Sequence, residues 1–161
     1  MGQLRIERQE TNINQLAEHA ASLLQPLAEK KKIQLLLDTA EIPESFVDPA
    51  RIIQVLYNLL TNAIRYTPCE GKINIATKIM LRSGRKCIAV CVEDNGPGIP
   101  AEDLLFVFDH FFRVDSSRDR RSGGTGIGLA IVKQLVEIHG GQVTVESKVG
   151  EGCLFCIYLP I

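Results

Sequence analysis

Ten of the 13 glycines lie between Gly96 and Gly152, whereas the first 95 residues hold only Gly2, Gly71 and Gly84. Glycine loses the most conformational freedom on folding and weakens helix and strand interiors alike. Residues 95–126 add turn formers and charge to this glycine content, with one short helical stretch after Pro100-Ala-Glu-Asp103. A loop of such length in a compact domain is usually functional. A chain of 161 residues suits one domain with a sizeable core and is too short for two.

The flanking segments are strongly patterned. Residues 12–30 carry Ile13, Leu16, Ala20, Leu23 and Leu27 at helical spacing, with Pro26 expected to bend or restart the helix. Ile33–Asp38 and, more weakly, Ser45–Val47 read as short strands. Asp48-Pro49 is a helix start, Asp as cap and Pro at the first helical position, and Thr67-Pro68 stops that helix after Tyr66. Lys72–Leu81 and Arg85–Glu93 flank Ser83-Gly84 as a hairpin. Ile127–His139 is a helix with apolar positions Ile127, Ala130, Ile131, Leu135 and Ile138, ended by Gly140-Gly141. Gln142–Ser147 and Cys153–Leu159 are two last strands around Gly150-Glu-Gly152. Helices and hairpins mixed without strict alternation imply an α+β fold, a two-layer sandwich with a mixed sheet covered on one face by helices. The domain is expected over 12–161, with 1–11 a linker or cloning remnant.

The net charge of −1 excludes a dominantly basic nucleic-acid binder. The longest charge run, Glu29-Lys-Lys-Lys32, fits a helix C-terminus, where cations meet the negative end of the dipole. Apolar runs such as Cys87–Val92 fall far short of the ~20 residues of a membrane span. No signal-like segment opens the chain, so a soluble, cytoplasmic piece without membrane contact is expected. Five cysteines without framework spacing point to reduced thiols. Cys153 and Cys156, three apart on a strand, would face opposite ways as buried structural thiols.

Three features carry chemistry. On the helix after Asp48, the residues Arg51, Gln54, Asn58, Asn62 and Arg65 repeat at three and four and form one polar face. Taken alone this face reads most simply as solvated. Asparagine is nevertheless a poor helix former, and the functional alternative is a row of amide oxygens for a hard cation that also holds phosphates, with Arg65 countering charge. Next, Asp94-Asn-Gly-Pro-Gly-Ile-Pro100 follows a strand directly. It is either a structural turn or a pre-shaped loop whose carboxylate accepts from an amino group such as the exocyclic amine of a base. Third, Gly123-Gly-Thr-Gly-Ile-Gly-Leu129 runs into a helix, where alternate glycines and free N–H groups suit an anion. The Rossmann form of such a loop needs a strand before it, and Ser116–Ser122 is polar and irregular. The Walker form needs Gly-Lys-Ser/Thr, which is absent.

Together these segments resemble the ATP-binding catalytic domain of bacterial sensor histidine kinases, of the superfamily shared with DNA gyrase, the ninety-kilodalton heat-shock chaperones and MutL. Asn58-Leu-Leu-Thr-Asn62-Ala-Ile-Arg-Tyr66-Thr resembles the N box, Asp94-Asn-Gly96-Pro-Gly98 the first glycine box and Phe108-Asp-His-Phe-Phe112-Arg113 the F box. Gly124-Thr-Gly126-Ile-Gly128-Leu resembles the second glycine box, and Gly150-Glu-Gly152 the last glycine turn. The order matches, and the resemblance covers about 12–161. It implies the Bergerat-type fold, ATP and Mg2+ as cofactors, and transfer of the γ-phosphoryl group to a histidine.

The resemblance also implies roles. Asn62 is the magnesium ligand through its side-chain oxygen. Asn58, Asn62 and Arg65 form the catalytic set, and Arg65 and Tyr66 lie near the triphosphate or ribose. Asp94 reads the adenine amino group, while Gly96, Gly98 and Ile99 pass the base. Gly124, Thr125, Gly126, Ile127, Gly128 and Leu129 frame the phosphates, with Arg113 a phosphate contact and Arg118, Arg120 and Arg121 basic lid residues. Asn58 stands where hydrolysing relatives carry a glutamate, and an amide cannot take up a proton, so transfer is favoured over hydrolysis. Phe106, Phe108, Phe111 and Phe112 divide between core packing and a docking patch for a partner helix.

A complete kinase of this kind also needs a histidine in a His-Glu/Asp-x-x-Thr/Asn-Pro setting. His19, His110 and His139 all lack it and read as structural or surface residues. The implied partners are therefore a separate dimerisation and phosphoacceptor domain and a downstream response regulator, with the isolated domain a monomer. The alternative is a nucleotide-responsive regulatory module with little chemistry.

Overall fold

The computed structural model describes residues 5–104, 106–108 and 128–161. Asn12 caps helix α1 (Ile13–Lys30), its Oδ1 accepting from the Gln15 N–H at 3.2 Å. Helix α1 buries Ile13, Ala17, Ala20, Ala21, Leu24 and Ala28. The expected stripe is thus rotated: Leu23 and Leu27 are 47% and 44% exposed, and small alanines take the contact side. Pro26 neither breaks nor restarts the helix. Its missing N–H would have bonded the Ser22 carbonyl, and both residues lie on the exposed side, where water satisfies that oxygen.

Strand β1 (Gln9–Thr11) pairs antiparallel with β3 (Ser45–Val47), so residues assigned by sequence to a linker contribute a small two-stranded sheet. It leads into helix α2 (Pro49–Tyr66), capped by Asp48. The Arg51 and Glu7 N–H groups donate to the two Asp48 carboxylate oxygens at 3.2 and 2.8 Å. Burial pushes the Asp48 carboxyl up, but N–H donors from Glu7, Arg51 and Ala50 outweigh it and leave the group below its ordinary value. At the far end Lys31, one residue past α1, donates from Nζ to the carbonyls of Ile64 and Arg65 at 2.7 and 3.2 Å. The lysine run therefore does end α1, and it also caps α2. Charge-assisted bonds to helix-terminal carbonyls each contribute ~1.5–3 kcal/mol. Lys31→Met is expected to cost about 1–2 kcal/mol, read as a Tm lower by ~2–8 °C in a thermal melt.

The main sheet has the order β2-β4-β5-β7-β6. Strand β2 (Gln34–Asp38) runs parallel to β4 (Lys72–Arg82), and the pairs β4–β5, β5–β7 and β6–β7 are antiparallel. Strand β5 spans Arg85–Asp94, β6 Gln142–Lys148 and β7 Gly152–Pro160. The β4–β5 turn has positive φ at both Ser83 (51°) and Gly84 (77°), as a tight hairpin of this hand requires. Between β5 and β6 lie the short helix α3 (Ala101–Leu104) and helix α4 (Gly128–Ile138).

Helices α1, α2 and α4 cover one face of the sheet. Ile52, Leu56, Leu59 and Leu60 of α2 join Ile73, Ile75, Ile88, Val90, Val92, Phe155 and Ile157 in one core. This is the mixed-sheet, helix-on-one-face sandwich expected from sequence. Helix α4 buries Ala130, Val132, Leu135 and Val136, so the expected positions Ile131 and Ile138 give way to two valines, and Ile127 lies outside the described residues. His139 is buried as a structural residue: Nδ1 donates to Leu135 O at 2.7 Å, and Nε2 accepts from the Asp48 N–H at 3.1 Å. That contact ties the end of α4 to the start of α2.

The expectation of five reduced thiols fails at one pair. Cys91 on β5 and Cys156 on β7 stand opposite each other in register and are joined by a disulfide. Spacing alone could not pair residues that β-strand register brings together across 65 positions. Cys69, Cys87 and Cys153 are free thiols.

Candidate functional site

Strand β5 ends at Asp94, whose side chain is buried. Its Oδ1 accepts from the Gly96 N–H at 2.9 Å and the Cys153 N–H at 3.3 Å. One carboxylate oxygen is thus fixed by the backbone of two elements. Among the described residues, none donates to the other. Burial raises the Asp94 carboxyl above its ordinary value, the two N–H groups pull it back in part, and the neighbouring Glu93 charge adds to the rise. A buried carboxylate with one committed oxygen and one open oxygen is a recognition group held ready for an external donor.

The loop after Asp94 is anchored from both sides. Gly96 lies against α2: a Cβ there would meet the Tyr66 carbonyl oxygen at 2.8 Å. Gly98 has φ +80°, and a Cβ there would collide with the Lys148 carbonyl. The Ile99 N–H donates to Ser147 Oγ at 2.7 Å, and the Gly150 N–H to Pro97 O at 2.7 Å. Ser147 Oγ in turn donates to Gly152 O at 2.9 Å and lies 3.3 Å from the Cys153 sulfur. Asn95 secures the other edge by accepting from the Lys72 N–H at 3.0 Å.

Gly152 therefore does more than end a hairpin. Its φ is +92°, and a Cβ would run into the backbone carbonyl of Asp94. Gly152→Ala is expected to cost about 3 kcal/mol, combining left-handed strain with displacement of the Asp94 backbone. A Tm reduced by ~6–12 °C in a melting experiment is the expected result.

The polar face of α2 lies beside this loop. Asn58, Asn62, Arg65 and Tyr66 are all half-buried along it. Asn58 Nδ2 donates to Gly128 O at 3.4 Å, which ties α2 to α4. Leu129 follows in the first turn of α4. Helix α2 thus touches the Asp94 loop at Tyr66 and the start of α4 at Asn58. These contacts are eight residues apart, about 12 Å along the axis.

The structure places Asn58, Asn62, Arg65 and Tyr66 on α2, Asp94, Gly96, Gly98 and Ile99 at the end of β5 and in the loop after it, and Gly128 and Leu129 in α4; among the described residues, direct contacts link Tyr66 with Gly96 and Asn58 with Gly128. Arg113, Gly124, Thr125, Gly126 and Ile127 lie outside the described residues, as do Arg118, Arg120, Arg121, Phe111, Phe112 and His110. Of the remaining aromatics, Phe108 packs edge-on against Phe155 with ring centroids 6.0 Å apart, while Phe106 is 49% exposed.

A hard divalent cation fits the donor set. Among the described residues no group of three or more His, Cys, Asp or Glu could cage a metal. The half-buried Asn62 amide makes no hydrogen bond to another described residue. Mg2+ keeps several waters and takes few protein oxygens beside substrate phosphates; the oxygen available on this face is a neutral amide in place of the usual carboxylate.

Sequence reasoning missed Ser147 and Cys153, which complete the floor under Asp94. Serine in an alternating strand carries no signal, and Cys153 stood out only as half of a Cys-x-x-Cys spacing. Burial raises its thiol pKa, offset in part by the Ser147 hydrogen bond, with the Asp94 charge raising it further.

Comparison with known proteins gives the family and the fold. Residues 47–161 match the family model described as histidine kinase-, DNA gyrase B-, and HSP90-like ATPase. Over 160 residues the chain is 39% identical to the adaptive-response sensory kinase SasA of Synechococcus sp. (strain JA-2-3B'a(2-13)), covering 99% of this chain and 41% of that protein. It therefore spans about two fifths of that relative's length. The catalytic domain of the histidine kinase ThkA superposes with a TM-score of 0.82 at 32% identity, covering 96% of each chain. Full-length ShkA, solved in complex with AMPPNP, superposes with a TM-score of 0.84 at 28% identity, covering 98% of this chain and 32% of that one.

Proposed function

The chain belongs to the histidine kinase-, DNA gyrase B- and HSP90-like ATPase family, among its histidine-kinase catalytic domains, and on that premise we propose that it binds Mg-ATP and passes the γ-phosphoryl group to a histidine on a separate phosphoacceptor domain in two-component signalling. The observation that carries this reading is the placement of α2, with the open carboxylate oxygen of Asp94 at one end of its polar face and the N-terminus of α4 at the other.

In this reading the open Asp94 oxygen accepts from the adenine amino group. Guanine presents an acceptor at that position and is repelled. The peptide groups around Gly96 and Gly98 line the base, since no side chain intervenes there. Asn62 offers its oxygen to Mg2+, which when bound neutralises phosphate charge and orients the γ-phosphoryl group. Arg65 balances the triphosphate charge, and the first N–H groups of α4, beginning at Gly128 and Leu129, receive phosphate oxygens. Arg113 and the segment 124–127 complete the phosphate cradle. The acceptor histidine nitrogen attacks the γ-phosphorus, the bond to the β–γ bridging oxygen breaks, and ADP leaves. Asn58 cannot accept a proton from water, so hydrolysis is slow beside transfer.

The phosphoacceptor histidine is supplied by another domain, since His19 and His139 lack its sequence setting and His139 is buried. Among the described residues no helix is long and apolar enough to cross a membrane, in keeping with a domain working in the cytoplasm. The AMPPNP complex of full-length ShkA supports an ATP ligand here by similarity.

The test mixes the chain with γ-labelled ATP, Mg2+ and a separately prepared dimerisation and phosphoacceptor domain. Acid-labile, base-stable label on that domain is the expected result. ATP binding with no transfer to any acceptor domain at high protein concentration would instead identify a nucleotide-responsive regulatory module.

A further inference from the structure

The face of the sheet opposite the helices carries a second chemical feature. Register places Cys91 of β5 opposite Cys156 of β7, flanked by Ala76 on β4 and Thr144 on β6. The two Cα atoms are 4.1 Å apart, and the sulfurs are bonded. Both residues line an open, shallow cleft on this face with Lys78 and Glu93, and Cys91 is partly exposed.

The bond is not needed to hold the fold together. The core residues of the same strands, Val90, Val92, Phe155 and Ile157, face the helices. The β5–β7 ladder is continuous from Cys87↔Pro160 to Asp94↔Cys153 through its backbone pairing. Cys87 stands opposite Pro160 and Cys153 opposite Asp94, so neither has a thiol partner in that ladder. One cysteine pair, on the adjacent strands β5 and β7 and on the face that no described helix covers, is thus aligned for bridging, with Cys91 partly exposed and Cys156 buried beside it.

We propose that Cys91 and Cys156 form a reversible two-electron redox site that hydrogen peroxide closes and small thiols open. The Cys91 sulfur attacks one peroxide oxygen, the O–O bond breaks, and the hydroxide that leaves takes up the proton the Cys91 thiol has given up, so a sulfenic acid and one water result. Cys156 then attacks the Cys91 sulfur, the S–S bond forms, and the hydroxyl leaves with the Cys156 proton as a second water. Two thiols are oxidised to one disulfide and one peroxide is reduced to two waters. A dithiol reverses the step by exchange. Closure ties β5 to β7 three residues from Asp94 on one strand and from Cys153 on the other, so it stiffens the sheet under the nucleotide site. The proposal does not depend on the identity of the nucleotide.

The experiment uses the whole chain, reduced, freed of reductant and treated with hydrogen peroxide, then blocked with N-ethylmaleimide and mapped by mass spectrometry. The expected product is a peptide pair cross-linked through Cys91 and Cys156 that dithiothreitol releases under native conditions. The oxidised protein should melt roughly 5–10 °C above the reduced protein, a difference absent in Cys156→Ser. Should that variant not fold, oxidised and reduced wild-type protein still give the comparison. Recovery of Cys91 and Cys156 as alkylated thiols after peroxide would overturn the proposal. So would a cross-link that opens only in denaturant, or one that leaves the melting temperature unchanged.

Discussion

Asp94→Asn is expected to weaken ATP binding by about 10²-fold while leaving the Tm of the free protein unchanged or slightly raised. The Gly96 and Cys153 N–H groups hold Oδ1, and an asparagine would keep its own Oδ1 there. Its NH2 group then occupies the position of the open oxygen and meets the adenine amine donor to donor. Losing a charge-assisted hydrogen bond alone costs ~1.5–3 kcal/mol, or roughly 10–150-fold in affinity. The stability prediction has the opposite sign. Burial raises the Asp94 carboxyl above the ordinary 3.8, so its ionised form works against folding. The Asp94 contribution to stability is fully present below 3.8 and is lost as pH rises through the raised value. At neutral pH a neutral asparagine removes this cost. The same sign makes ATP affinity fall as pH drops through the raised pKa. Calorimetric titration of both forms, beside thermal melts, measures both effects. An affinity within about threefold of wild type would remove Asp94 from the base site.

Asn62→Ala is expected to reduce phosphoryl transfer by ~10²-fold or more, with a smaller loss of nucleotide affinity and little change in Tm. The side chain lies on the half-buried polar face of α2 rather than in the core. Alanine also suits a helix interior better than asparagine does. What is lost is one oxygen for the cation that orients the γ-phosphoryl group. The fall in rate should be partly recovered by raising Mg2+, whereas Asp94→Asn should not respond to the metal. Single-turnover transfer to the acceptor domain over a Mg2+ titration separates the two. An unchanged transfer rate would remove Asn62 from the metal site.

Much of the fold was legible because its signals are local. Asp48-Pro49 starts α2 through an N-cap and a proline, and Thr67-Pro68 stops it, so the polar face bearing Asn58 and Asn62 follows from helical period alone. The β4–β5 hairpin is written in Ser83-Gly84. What stayed hidden depends on partners distant in sequence. Leu23 and Leu27 fit a helical stripe as well as Ala17, Ala21 and Leu24 do, and only packing chooses between them. Strand β1 is three residues long and exists by pairing with β3. Cys91 and Cys156 become neighbours only through strand register.

The site divides along the same line. Asp94, Gly96 and Gly98 form a compact motif and could be read together. Ser147, Cys153 and Gly152 come from the last hairpin, and their work under Asp94 emerges only when β7 lies beside β5. The late glycines thus fall into two groups. Gly123, Gly124 and Gly126 belong to the glycine-spaced motif outside the described residues, while Gly98 and Gly152 let two backbones approach too closely for any Cβ.

The most direct measurement of the central claim is a paired calorimetric titration of the chain with Mg-ATP and Mg-GTP. The Asp94 arrangement predicts saturable one-to-one binding of ATP, with GTP weaker by about 10²-fold or more because its base presents an acceptor to the carboxylate. Equal affinity for the two nucleotides, or no binding of ATP in the presence of Mg2+, would contradict it.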